Sequence, residues 1–150
     1  MPVKRILASV CFALAICGSV WAGPYEDADA ASRRGDYATA LKLFLALAME
    51  GDAEAQISIA NMYFDGRGVP LDYGEAVKWY LLAAEHGSAD AQIALGFLYE
   101  YGDAVPQDLV EAYKWFDLAG SFSYRDAVGA KMTPEQITEA QRLGREWKPK

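Results

Sequence analysis

Residues 55–90 and residues 91–126 align without a gap and agree at about fifteen of 36 positions. Ala55-Gln56-Ile57 answers to Ala91-Gln92-Ile93, Tyr63 to Tyr99, Gly66 to Gly102, and Val69-Pro70 to Val105-Pro106. Asp72, Glu75-Ala76 and Lys78-Trp79 then answer to Asp108, Glu111-Ala112 and Lys114-Trp115. A chain that repeats itself at this period stacks its units so that each covers the apolar face of its neighbour, which makes a solenoid.

Ala55, Ile59, Met62 and Tyr63 lie at helical spacing, as do Ala91, Leu95, Leu98 and Tyr99, so the first half of each unit is an amphipathic helix, here called A. Gly66 suits a left-handed helix exit, and Gly68-Val69-Pro70 is a connector in which proline forbids further helix. Asp72 with Glu75, and Asp108 with Glu111, supply a carboxylate cap and a reciprocal one, so a second helix, B, begins at each aspartate. Its stripe of Ala76, Trp79, Tyr80 and Ala83, matched by Ala112, Trp115, Phe116 and Ala119, alternates small and bulky side chains. The two tryptophans recur at one phase and are expected to be equivalent core residues.

These residues resemble the Sel-one-like repeat, a relative of the tetratricopeptide repeat. The first copy carries its pattern as Ala55, Ile59, Ala60, Tyr63, Gly66, Gly68, Val69, Asp72, Ala76, Trp79, Ala83 and Ala84, and the second as Ala91, Leu95, Gly96, Tyr99, Gly102, Val105, Asp108, Ala112, Trp115 and Ala119. The second copy departs at Ala104, where a loop glycine is missing, and at Gly120, where an alanine is replaced, which leaves the shape of that loop and the last turn of that helix open. The resemblance implies an all-α fold, a right-handed α-solenoid of antiparallel helix pairs, and an adaptor or regulatory role. Some cysteine-rich exported members of the family are linked to penicillin binding and weak β-lactamase activity, so a weak hydrolase is the alternative, and peptidoglycan association is a third.

At the start of the chain, Lys4-Arg5 precede an uncharged apolar run over residues 6–20 that ends in Val20-Trp21-Ala22. This is the form of an export signal, and cleavage is expected after Ala22. The run is short for a bilayer span and is followed by acidic sequence, so no membrane insertion is expected after cleavage. Both cysteines, Cys11 and Cys17, fall inside it, and Ile16 is too large for the usual lipoprotein cleavage site. Residues 23–150 then carry twelve basic against 21 acidic side chains, a balance that argues against nucleic acid and anionic membrane as partners. Without cysteine they have no disulfide, no thiolate nucleophile and no thiolate metal site.

Residues 25–34 make a short helix, and Gly35-Asp36-Tyr37 ends it and caps a B-type helix that runs to Glu50. Stepping the repeat back places Ala40 on Ala76 and Leu43 on Trp79, so residues 23–54 form a degenerate first unit. Ala127 and Val128 continue the phase as a short A-type helix after Asp126, and residues 127–150 cap the array. Thr133, Pro134 and Gln136 together mark a helix start; the helix to Glu146 should lie across the last repeat as a lid, closed by Trp147. The tail also resembles the ends of many exported members of the family, which implies that the chain ends there.

Side chains with catalytic potential are sparse. His86 stands beside Gly87 at the end of a B helix, where imidazole meets the last carbonyls or faces solvent. Gly66-Arg67-Gly68 lacks the third glycine and the strand of a dinucleotide site. Glu26-Asp27 with Asp29, and Glu50, Asp52 and Glu54, are helix starts and solvated faces, and Glu100 with Asp103 is a weak candidate carboxylate pair. No catalytic residue, cofactor or metal is assigned. What remains is surface. The positions turned away from the A-helix stripe are Ser58, Asn61 and Asp65, answered by Ala94, Phe97 and Tyr101; they differ between copies while the stripe does not. A concave face lined by Ser58, Asn61, Asp65, Phe97, Glu100 and Tyr101 is the expected site for a protein or peptide, on a monomer. Phe97 and Tyr101 either anchor that partner or pack under the next repeat.

Overall fold

The computed structural model describes residues 23–149. The expected export segment over residues 1–22, with Cys11, Cys17, Trp21 and the cleavage point after Ala22, lies outside them. The described residues form eight helices: α1 (Pro24–Arg33), α2 (Tyr37–Met49), α3 (Ala53–Asp65), α4 (Tyr73–Glu85), α5 (Ala89–Tyr101), α6 (Leu109–Leu118), α7 (Phe122–Gly129) and α8 (Pro134–Glu146). Each of α1 to α6 packs on the next along the chain, and both α7 and α8 pack on α6. The A helices are α1, α3, α5 and α7. The lid expected over the last repeat is therefore present, with Ala140 on its buried inner face.

Short side chains at the helix entries set the register. Asp36, Asp52, Asp72, Ser88 and Asp108 each accept a backbone N–H from the first turn they precede. At α8 both halves of a capping box are made, Gln136 N–H to Thr133 and Thr133 N–H to Gln136. The reciprocal half expected at Glu75 and Glu111 is absent, and the reason is tertiary. The Asp72 amide donates to the Tyr63 carbonyl at 3.0 Å, and the Asp108 amide to Tyr99 at 2.9 Å. The N–H that each glutamate would reach is already used by the preceding A helix. Glu75 and Glu111 turn instead to Lys78 and Lys114.

The two departures in the second copy have separate consequences. Gly68 has a φ of +74° and lies so close to Tyr37 that a Cβ would stand 2.4 Å from the tyrosine Cβ. Ala104, its counterpart, keeps a negative φ, so the second connector takes another path yet delivers Asp108 to the same carbonyl. Gly120 takes a φ of +68° and ends α6 at Leu118, three residues short of where α4 ends in the first copy. Accordingly α7 starts at Phe122, ahead of the expected Ala127.

The core is continuous along the stack and rich in alanine. Ala28, Ala40, Ala55, Ala60, Ala76, Ala83, Ala91, Ala112 and Ala140 are all fully buried, which lets neighbouring helices approach closely. Bulk comes from Phe44 and Ile59 at one end, Tyr80, Leu95 and Trp115 in the middle, and Phe116 and Val128 at the other. The two tryptophans are not equivalent, contrary to expectation. Trp115 is buried and meets Trp147 edge-on at 5.5 Å, whereas Trp79 is only partly buried, between the first two clusters. The lid covers the second repeat and leaves the first without such a cover.

Candidate partner-binding face

Helical spacing brings two triads together. Tyr25, Asp29 and Ser32 on α1 and Ser58, Asn61 and Asp65 on α3 line a hollow of about 240 Å³, floored by Phe44 and Met62 and edged by Arg67. The Tyr25 hydroxyl and Ser58 Oγ are hydrogen-bonded at 3.0 Å, which pins α1 to α3, and the Tyr25 ring tilts against Phe44 at 5.4 Å. The Tyr80 hydroxyl donates to Asn61 Oδ1, fixing that amide. Burial, then the Asp65 carboxylate, pushes the Tyr80 phenol up to about 12, so it remains a donor. Asp29 pairs with Arg33 and Asp65 with Arg67.

The other three expected residues stand apart from that hollow, at the far end of α5. Tyr101 is 62% exposed and stacks on Phe97 at 5.9 Å. Phe97 is half-buried, edge-on to Phe116 at 5.1 Å and to Tyr124 of α7 at 4.9 Å. Of the two roles left open for Phe97, packing under the next helix is the one its contacts describe, while Tyr101 stays open to solvent. Glu100 is nearly buried and accepts from Lys131 Nζ at 2.8 Å, so its carboxylate is held by an ion pair and Asp103 stands exposed in the following loop. The Lys131 pair also raises the lysine pKa, by hydrogen bond first and charge second.

Of these neighbours, the sequence reading kept Tyr25 only as part of an alternative surface and Asp29 only as a solvated helix start, and it passed over Ser32 and Tyr124. The first two were accessible: the backward step that puts Ala40 on Ala76 also puts Tyr25 on Asn61 and Asp29 on Asp65. Tyr124 was hidden by the shortening of α6, which shifts its phase. His86 is structural: its Nδ1 lies 3.2 Å from Gln56 Oε1, and Gln56, fully buried, donates to the Ala48 carbonyl at the end of α2. Among the described residues no group of three or more His, Cys, Asp or Glu is placed to hold a metal, and no helix is long and apolar enough to cross a membrane.

Stacked helix pairs whose buried stripe repeats while the outer face varies define a helical-repeat scaffold. The chain belongs to the Sel1 repeat family, whose profile matches residues 25–52, 53–88 and 89–121. Two solved structures are similar to it. One is a protective antigen present in uropathogenic Escherichia coli strains, displaying the same fold, with a TM-score of 0.75 and 29% identity over 82% of this chain. The other is a Sel1 repeat protein from Oxalobacter formigenes, with a TM-score of 0.62 and 30% identity over 69% of this chain. The chain spans 28% and 44% of the length of these two proteins. No curated protein matches it. Sel1 repeat proteins generally serve protein–protein interaction, and the fold here is of that scaffold type.

Proposed function

We propose that this protein binds an extended segment of another protein along its A-helix face, as a monomeric adaptor or regulator in the bacterial envelope. The observation that carries the reading is the contrast within one chain: Ala55, Ile59 and Tyr63 repeat as Ala91, Leu95 and Tyr99, whereas Ser58, Asn61 and Asp65 become Ala94, Phe97 and Tyr101. A stripe held constant keeps the stack, and a face that varies is shaped for something outside it. The exposed Tyr101 ring, backed by Phe97 and Tyr124, is an anchor of the type that dominates interfaces. Lys4-Arg5 ahead of the apolar run to Val20 supports export, with Gly23 as the first residue of the mature chain.

The test is a pull-down from envelope extract with the mature protein and two variants. Tyr101→Ala should keep its melting temperature and weaken partner capture by about 1 to 3 kcal/mol, the range for a truncated aromatic anchor. Phe97→Ala should lose stability as well, because its ring is part of the packing. If Tyr101→Ala captures the partner as the parent does, the A-helix face at α5 is not the interface.

A further inference from the structure

We propose that the hollow between α1 and α3 is a pocket for one arginine side chain of the partner. This rests on the reading that the A-helix face binds an extended chain, and it adds the chemistry of one position in that chain.

The hollow is about 240 Å³, the scale of one large side chain and too small for a folded element. Its walls offer acceptors of different kinds: the Asp29 and Asp65 carboxylates on separate helices and the hydroxyls of Ser32 and Ser58, with the Tyr25 ring beside them. That set suits a planar cation with several donors. A guanidinium has five N–H donors in a rigid fork, stacks on aromatic faces and is more weakly hydrated than an ammonium, so it enters such a site at lower cost than lysine. The site is also preorganised: Tyr25 is bonded to Ser58, and Asn61 is held by Tyr80.

The hollow already contains a hint of its ligand. Asp29 and Asp65 are partly shielded, with side chains 32% and 38% exposed, yet each is paired with an arginine that is itself largely in solvent, Arg33 at 79% and Arg67 at 59%. Such pairs are weak and readily exchanged. A guanidinium delivered by a partner and desolvated in the hollow takes over a carboxylate that Arg67 or Arg33 holds only loosely. The excess of 21 acidic over 14 basic side chains across the chain favours the approach of a cation.

The probe is a fluorescein-labelled heptapeptide, Gly-Ser-Gly-Arg-Gly-Ser-Gly, compared with the same peptide carrying citrulline, lysine or glutamate at the central position. Citrulline keeps the shape and removes the charge. Fluorescence anisotropy at low salt should show the arginine peptide binding about tenfold more tightly than citrulline, with lysine between them and glutamate weakest. Asp65→Asn and Asp29→Asn, both at partly exposed positions, should each reduce that preference, while Met49→Ala, at an exposed position on α2 outside the hollow, should leave it unchanged. Equal binding of arginine and citrulline, preferred binding of glutamate, absence of binding by any peptide at millimolar concentration, or a preference that survives both Asn variants overturns the proposal. Those results concern the hollow alone. Loss of the A-helix interface would show instead in the Tyr101→Ala pull-down, whatever the peptides do.

Discussion

Gly96 shows what one missing methyl group permits. A Cβ there would stand 2.5 Å from the Phe116 ring, so glycine is what lets α6 lay that ring against α5. In the first copy the same pair is Ala60 with Tyr80, and the Tyr80 hydroxyl reaches Asn61. Phe116, seated against Gly96, meets Phe97 and Tyr124 instead. Gly96→Ala should therefore destabilise by about 1 to 3 kcal/mol through overpacking, although alanine is the better helix former. A denaturant melt in which it is neutral or stabilising would show that α5 and α6 are not so close. Tyr80 gives a second test, in pH. Its folded pKa, near 12, is above the ordinary 10 because burial and then Asp65 disfavour the phenolate. The stability contributed by the neutral phenol is complete below pH 10 and is lost as pH rises toward 12. Difference titration at 295 nm between the parent and Tyr80→Phe should isolate one phenol that ionises near 12; a missing phenol that titrates near 10 rejects it.

At the scale of the element, the helix entries were legible because they rest on local chemistry. Asp36, Asp72, Asp108 and Thr133 cap where their side chains and downstream partners said they would. The reciprocal caps at Glu75 and Glu111 were not, since whether the Asp72 and Asp108 amides are free depends on Tyr63 and Tyr99, nine residues back and across a connector. Asp72→Ala and Asp108→Ala should accordingly each cost about 1 kcal/mol, and Glu75→Ala only a few tenths, the value of a surface ion pair. If Glu75→Ala costs as much as Asp72→Ala in urea melts, the capping box is made after all. The early end of α6 was flagged by Gly120, but its effect on α7 was not, because a phase shift of three residues moves every later position. For the same reason Tyr124, which completes the aromatic cluster, escaped notice while Tyr101 and Phe97 did not. Exposure is the other quantity that pattern alone does not give: Phe97 and Tyr101 sit one turn apart on α5, and only the packing of α7 makes one half-buried and the other open.

At the scale of the molecule, a stack of repeats has two ends, and each must cover an apolar face that an interior unit would hand to its neighbour. The first end does this with the small α1, whose Ala28 and Ala31 are buried against the rest. The last end uses α8 and the residue just past it. Trp147 leaves the helix in an extended conformation and sets its ring edge-on to Trp115, while Lys114 adds to the cover: its Nζ is 4.4 Å from the centre of the Trp115 ring, and its stem runs beside Gly144. Trp115 is thereby sealed so completely that its Nε1 donor has no acceptor, a cost of about 1 to 3 kcal/mol that the packing offsets. Three consequences follow for unfolding. Trp115→Ala should cost about 3 to 5 kcal/mol, the range for a large buried aromatic, and Trp79→Ala less, because it is only partly covered. Trp147→Ala should cost less than Trp115→Ala, because opening the cover also lets water reach the orphaned donor. The two rings should be coupled by about 0.5 to 1.5 kcal/mol in a double-mutant cycle of Trp115→Phe with Trp147→Ala. Additive losses within error would mean that Trp147 does not close the stack on Trp115, and the end of the solenoid would then have to be sealed by α8 alone.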